Sequence, residues 1–407
     1  MKGKEFKTTC CIAGGGPAGM MIGFLLARAG IDVIVLEKHS DFLRDFRGDT
    51  IHPSTFQLMH ELGILDEFLK IPHQEQSQLG AMFNKQYLIL ADFRKLAVEK
   101  PVLGFMPQWE FLNFLQKQAE YYPCFILMME TNAIDIIKEN KIIKGVRAQT
   151  RDGVIEIHSN LVIAADGRNS ILREKAGLKV LASGVPIDVL WFKLSKFPDD
   201  PGQSLGFFQL GRLVVMLDRN DYWQCGYVIP KGGFDKIKEN GLHSFGEELS
   251  KAVPFLKDRV NELKEWDQIK LLSVAMDCLE KWYTPGLLCI GDAAHAMSPV
   301  GGVGINLAIQ DAVATANILY ESLKEKKSAD TVLLKRVQKR REFPARVTQR
   351  LQRTIQNGIF IRGQSNNQQK APFLMRMVNK WAVLRQIPAR LIGIGIRPEH
   401  IKTPACK

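Results

Sequence analysis

The chain has 407 residues, a mass of 45.9 kDa, 46% hydrophobic and 24% charged residues, and a formal charge of +12. Such a length and balance exclude a disordered or small disulfide-built protein and suit two joined domains with a sizeable core. Seven scattered cysteines, without a Cys-x-x-Cys pair, predict neither a disulfide framework nor a zinc site, and so a reducing, cytoplasmic setting. The positive charge is uneven: Lys339–Arg390 holds twelve Lys/Arg against the single acid Glu342, so an electrostatic partner would meet the C-terminal region.

In chain order, Cys10–Ala13 reads as a buried strand, Gly14-Gly15-Gly16-Pro17 as a turn, Ala18–Ala29 as a helix and Asp32–Leu36 as a second strand, together a βαβ unit. The apolar run Thr9–Ala29 is no spanning helix, because five glycines and Pro17 interrupt it. Ser54–Leu69 has helical spacing, 80–106 looks extended, and Gln108–Tyr121 is an amphipathic helix. Strand-turn-strand patterning fills 124–165, with a turn at Asp152-Gly153. From Val185 to Met276 the chain becomes strands rich in Trp, Phe, Val and Leu, with one helical stretch near 243–264. It then returns through Leu287–Ile290 to the first domain; 303–324 and 329–361 are helical, and Gly363–Gln369 is a loop.

Three motifs carry chemistry. Gly14-x-Gly16-x-x-Gly19 follows a strand and opens a helix, where glycines permit the tight turn and close approach to a pyrophosphate that the helix N-terminus attracts. Glu37 ends the second strand about 20 residues on, where an acid accepts hydrogen bonds from an adenosine ribose. In Leu161-Val-Ile-Ala-Ala-Asp166-Gly167-Arg168-Asn-Ser170-Ile-Leu-Arg173 an apolar strand ends in Asp-Gly before a serine-capped helix. The third motif, Gly291-Asp292-Ala-Ala-His295 followed by Ser298-Pro299-Val-Gly301-Gly302-Val-Gly304-Ile-Asn306, offers a carboxylate for a polyol. It also offers a Pro/Gly loop that opens a helix toward a negative charge.

These three motifs, in this order, resemble the para-hydroxybenzoate hydroxylase family of single-component (group A) flavin monooxygenases. The resemblance is firmest at 8–60, 100–120, 155–175 and 283–312, and extends to Arg47 in Arg44-Asp-Phe-Arg47-Gly-Asp-Thr and Gln108 in Pro107-Gln-Trp-Glu. It implies an α/β fold: a Rossmann-like, glutathione-reductase-type FAD domain (1–75, 100–180 and 280–335), an inserted mixed β-sheet substrate domain (76–99 and 181–279) and a helical C-terminal region (336–407). Gly14, Gly16, Ala18, Gly19, Glu37 and Lys38 would hold the ADP half of FAD, with Arg47 near the pyrophosphate and Gln108 and Asp292 at the ribityl chain. Asp166 would serve both FAD and the nicotinamide donor, while Pro299, Gly301, Gly302, Gly304 and Asn306 would border the ring.

The implied activity is hydroxylation of an aromatic, polycyclic or quinone-like molecule. NAD(P)H reduces non-covalent FAD, O2 adds, and a flavin C4a-hydroperoxide delivers one oxygen atom. One dinucleotide fingerprint means NAD(P)H would bind transiently. No catalytic side chain and no metal are expected. Phe192, Phe208, Met216 and Pro299 are the candidate substrate contacts, although Trp191, Phe192, Phe207, Phe208 and Met216 also alternate like ordinary strand core. His295, Cys225 and Cys278 read as structural. A halogenase or isoprenoid-chain reductase on the same fold is the rival chemistry; against the first, Gly226-Tyr227-Val228-Ile229-Pro230 lacks both tryptophans of the halogenase Trp-x-Trp-x-Ile-Pro signature. No nucleic-acid partner is expected, and a monomer and a homodimer both stay open. The spacings 343/347/351/355 and 373/374/377/378/381/384 predict two basic amphipathic helices whose apolar faces fold against the protein. The alternative is a flavoprotein that docks on the inner membrane face through them.

Overall fold

The computed structural model describes residues 4–43, 50–83, 86–209, 212–327, 330–363 and 371–406. Its central sheet runs Tyr283–Thr284, Leu287–Cys289, Gly153–Ala164, Glu5–Ala13, Val33–Leu36, Phe125–Met128, with the hairpin strands Ile142–Thr150 and Asn132–Glu139 added beside Gly153–Ala164. The strands from Leu287–Cys289 to Phe125–Met128 are parallel to their neighbours. Thr9–Ala13 is continuously buried, as expected of a parallel strand covered on both faces.

The helix Pro17–Arg28 covers one face of this sheet, with Ala18–Ala27 all buried. Its approach is close because Gly23 has no side chain: a Cβ there would lie 2.7 Å from Val35 Cγ2. Against it packs the helix Gly304–Lys324, buried along most of its 21 residues. The expected single helix at 54–69 is two, Pro53–Glu61 and Leu65–Phe68, interrupted at Gly63 with φ +74°.

A second, mixed sheet has the order Lys270–Leu272, Ile187–Ser195, Tyr222–Pro230, Arg212–Asp218, Leu205–Gln209, Gln78–Phe83, Gln86–Asp92. The strands from 78 to 92 therefore join the later sheet, through a parallel pairing of Gln78–Phe83 with Leu205–Gln209. The helix Leu242–Ala252 closes one face of it; the helical stretch expected at 243–264 ends early and continues as short 3-10 turns. A small sheet of Thr50–Ile51, Leu103–Phe105 and Gln74–Gln76 lies between the two in the chain path.

The C-terminal region is helical, but its faces are not those expected. The helix Thr331–Gly363 exposes Phe343, Leu351 and Ile355 and buries Gln338, Arg341, Gln349, Gln352 and Gln356. The helix Phe373–Lys380 likewise exposes Phe373 and Leu374. Both helices thus turn apolar residues outward, although the first also buries Leu334, Val337 and Ala345 in the main core. For the first helix the reason is its neighbour: the chain from Asp277 to Val300 is buried yet largely irregular, and its backbone groups require hydrogen-bond partners that apolar residues lack.

Candidate functional site

The row Leu36, Ala13, Ala164, Cys289 is in register across four neighbouring parallel strands. Each strand releases one motif from the same edge: Glu37, the Gly14–Gly19 turn, Asp166-Gly167, and Gly291-Asp292. Loops outside the carboxyl ends of a parallel sheet are where this architecture binds ligands.

Gly14 has φ +104°, and a Cβ on it would lie 2.3 Å from Ala165 O, so only glycine lets the two loops touch. A Cβ on Gly19 would meet Gly14 O at 1.8 Å, whereas Gly16 has nothing within 4 Å. Gly16 is the N-cap of the helix Pro17–Arg28 and no side chain caps it, which leaves an open cradle at a helix N-terminus. Ala18 is buried, with its Cβ 3.1 Å from where a Cβ on Gly291 would stand. The Glu37 carboxylate borders the cradle: Gly15 N donates to Oε2 at 3.0 Å and His39 N to Oε1 at 3.1 Å. Lys38 is exposed. Gln108 begins the helix Gln108–Ala119 after Pro107. Arg47 lies outside the described residues.

Asp166 accepts from Leu172 N at 3.2 Å through Oδ2, while its Oδ1 is buried with no hydrogen-bond partner among the described residues. Burial pushes its carboxyl above the usual range. Arg168 Nη2 stands 3.6 Å from Asp292 Oδ2, so the second and third motifs meet across the edge. Arg173 ties them from beneath, pairing with Asp277 at 3.3 Å and donating to Ala293 O at 3.3 Å. An orphaned carboxylate oxygen, an open helix N-terminus and a partly exposed aspartate along one edge are the donor and acceptor set that a dinucleotide with a polyol arm requires. FAD fits these residues.

Pro299, Val300, Gly301 and Gly302 form the next loop, with φ +81° at Gly301 and +62° at Gly302. A Cβ on Gly302 would lie 2.8 Å from Thr50 Oγ1. The helix Gly304–Lys324 then starts with no side-chain cap, and Gly304 is open. Asn306 is held below, accepting from Ser54 Oγ at 2.7 Å and Thr55 Oγ1 at 3.2 Å.

Sequence reasoning missed what holds this loop. Gln352 Nε2 donates to Ser298 O and Val300 O, both at 2.8 Å, and its Oε1 accepts Ser298 N at 3.2 Å. Gln349 Nε2 donates to Asp277 O at 2.7 Å and Ala296 O at 2.9 Å. His52 is fully buried, with Nε2 3.0 Å from Gly302 O and Nδ1 2.7 Å from Ile392 O. Burial pushes its imidazole below the ordinary value, against the pull of both carbonyls. His295 is buried, its Nε2 2.6 Å from Asp311 Oδ2, and Arg341 Nε donates to Asp311 Oδ1 at 2.9 Å. The only local signal was a run of glutamines at 349, 352 and 356.

The second sheet sorts the candidate substrate contacts. Phe192, Phe207 and Met216 belong to the core under the helix Leu242–Ala252, and Phe192 meets Phe245 edge-on at 5.7 Å. Phe192 and Met216 are thus sealed on the far face, a correction to their selection. Strand alternation puts Trp191, Phe208, Gly226 and Val228 on the opposite face. Trp191 and Val228 pack in one cluster with Val300 of the glycine loop, and Phe208 stacks on Phe83 at 4.5 Å.

A family profile described as an FAD binding domain matches residues 7–351. The chain is 30% identical over 345 residues to 6-methylpretetramide 4-monooxygenase of Streptomyces rimosus, covering 84% of this chain and 82% of that protein. Among solved structures, p-nitrophenol 4-monooxygenase of Pseudomonas putida superposes with a TM-score of 0.74 at 18% identity, over 95% of this chain and 97% of the other. The myxobacterial chondrochloren halogenase also reaches 0.74, at 17% identity, over 95% and 90%. The chain belongs to the FAD-binding-domain family of para-hydroxybenzoate hydroxylase-like, FAD-dependent monooxygenases. It is a flavoprotein oxidoreductase with non-covalent FAD, reduced by NAD(P)H.

Proposed function

We propose that this monooxygenase is a cytoplasmic hydroxylase of an aromatic, polycyclic or quinone-like molecule, held between the Pro299–Gly302 loop and the sheet face of Trp191, Phe208 and Val228. The observation that carries the reading is that Val300 packs against the same buried cluster (Val185, Ile187, Val189, Val274 and Met276) as Trp191 and Val228, which joins this apolar sheet face to the loop that opens the uncapped Gly304–Lys324 helix. In our assignment Gly14, Gly16, Ala18, Gly19, Glu37 and Lys38 take the ADP half of FAD. Asp292 and Gln108 take the ribityl chain, and Asp166 serves FAD and NAD(P)H. Pro299, Gly301, Gly302 and Gly304 frame the ring through their backbone, with Asn306 anchoring that frame to Ser54 and Thr55.

When bound, the flavin supplies hydride acceptance and oxygen activation. The chain's own work is positional. The unsatisfied N–H groups at Gly304 and the helix dipole favour negative charge on a reduced ring. The apolar sheet face excludes water and orients a flat substrate. Charge and shape, with no nucleophile or metal, suffice for this role.

The similarity to the 6-methylpretetramide 4-monooxygenase of Streptomyces rimosus favours a polycyclic substrate over a simple phenol. The halogenase reading is weaker, because residues 225–230 carry neither tryptophan of the signature: Gly226 and Val228 are on the Trp191 face, while Cys225, Tyr227 and Ile229 lie in the far core. The test is NAD(P)H oxidation by the purified enzyme with panels of polycyclic and monocyclic phenols under 18O2. We expect one labelled oxygen in a polycyclic product. Labelled product from no aromatic, or bromide- or chloride-dependent turnover in its place, would reject the reading. Replacing Asp292 with Ala should release FAD on gel filtration, because the charged acceptor for the polyol, about 1.5–3 kcal/mol, is gone.

A further inference from the structure

The segment Ala371–Pro398 contains five Arg/Lys and no Asp or Glu. Within it, Phe373, Trp381 and Val383 are 70%, 60% and 77% exposed, and Leu374 and Ile387 are comparably so. This orientation is fixed from beneath. Helical residues turn about 100° each, which puts Asn379 opposite the midpoint of Phe373 and Leu374. Asn379 Oδ1 accepts Ile89 N at 2.8 Å from the edge strand Gln86–Asp92, so the polar side is inward and the apolar side outward. The next helix, Gln386–Gly393, is pinned likewise: Ala389 is buried and a Cβ on Gly393 would lie 2.9 Å from Leu96 Cδ1. Ile387 and Leu391, one turn apart on that helix, are consequently exposed.

We propose that this face is a docking surface for an anionic lipid bilayer. Phe373, Leu374, Trp381, Val383 and Ile387 enter the acyl boundary, while Arg376, Lys380 and Arg390 meet headgroup phosphates. Exposed aromatic and aliphatic side chains flanked by cations match the interfacial zone of a membrane, where Trp and Phe sit at headgroup depth. No helix among the described residues is long and apolar enough to cross a membrane, so the contact is peripheral. Charge decides among occupants. Arg385 is turned inward onto Val378 O and Asn379 O and Arg397 lies over Phe343, so pairing this face with a second copy would bring together two sets of the three cations Arg376, Lys380 and Arg390 with no acid in either segment, whereas an anionic bilayer complements them. The surface also touches the site framework, since Ile392 O shares His52 with Gly302 O.

The full-length holoprotein should float with vesicles of phosphatidylcholine containing roughly one-third phosphatidylglycerol at low salt, and not with phosphatidylcholine alone. The variant Arg376→Glu/Lys380→Glu and, separately, Phe373→Ser/Leu374→Ser should each lower partitioning at least about tenfold. FAD absorbance and the melting midpoint should match the parent in both, which separates lost docking from lost folding. Wild-type protein that stays unbound to the anionic vesicles overturns the proposal. So does flotation that neither pair of substitutions changes. A dimer that Phe373→Ser/Leu374→Ser converts to monomer would assign the face to self-association, and retention on poly-glutamate without vesicle binding would assign it to an acidic protein; either refutes the lipid reading.

Discussion

The helix Thr331–Gly363 turns glutamines and an arginine inward, whereas the helix Phe373–Lys380 turns phenylalanine and leucine outward. Both lie in the basic third of the chain, and at these positions both break the rule that the apolar side is the buried one, although the long helix does bury Leu334, Val337 and Ala345. They break it for different reasons. The long helix faces Asp277–Val300, whose irregular backbone has carbonyls to satisfy, and Gln338, Gln349 and Gln352 satisfy them. The short helix faces a sheet edge, where Asn379 accepts one strand N–H. Burial follows what the neighbouring backbone lacks, and a face left with nothing to satisfy becomes free for an outside partner.

The sharpest way to break the contrast is at the ionic centre of the inward face. Burial pulls the Asp311 carboxyl upward, but His295 and Arg341 outweigh it and hold it below the usual range. Replacing Asp311 with Ala takes one buried carboxylate from Arg341, which keeps Glu399 at 3.3 Å, and removes the Nε2 partner of His295, and should cost about 3 kcal/mol in urea unfolding. A loss below 1 kcal/mol would mean the pair is incidental.

Gln352→Leu is the next test. It keeps the helix and the volume but strips the partners of Ser298 N, Ser298 O and Val300 O, each buried orphan costing about 1–3 kcal/mol. The loop should loosen and FAD dissociate more readily, read by fluorescence release. Unchanged FAD affinity would show that the loop holds itself.

Acidification should act through two groups in sequence. His52 binds its proton less readily folded than unfolded, so its contribution is present above its ordinary pKa, about 6.5, and is lost as pH falls below it. Asp311, also depressed, contributes above about 4 and loses that contribution at lower pH. The melting midpoint should fall first between neutrality and mildly acid pH, and His52→Gln should flatten that upper limb. A variant with the parent's slope there would exclude His52 as its source.

The smallest effect is expected on the outward face. Phe373→Ser/Leu374→Ser should change stability within about 0.5 kcal/mol per site, as exposed positions do. A larger loss by calorimetry would show that these side chains pack against the protein after all.

Local backbone chemistry was legible without a structure. The glycine turn at 14–19, the acid at 37 that ends its strand, Asp166-Gly167 and the Gly291–Gly304 stretch each declare their local geometry within a few residues, because tight turns and helix starts restrict residue type on the spot. Strand alternation in 187–230 was equally legible, yet it could not say which face looks toward the Pro299–Gly302 loop. That was decided by the side on which the helix Leu242–Ala252 packs, sending Phe192 and Met216 to the far core and Trp191 to the near face. The glutamine ladder, the His52 bridge and the Asp311–Arg341 pair were out of reach for the same reason. Their partners lie 30 to 340 residues away, and a side chain's hydrogen-bonding duty is set by which unsatisfied backbone the tertiary fold brings beside it.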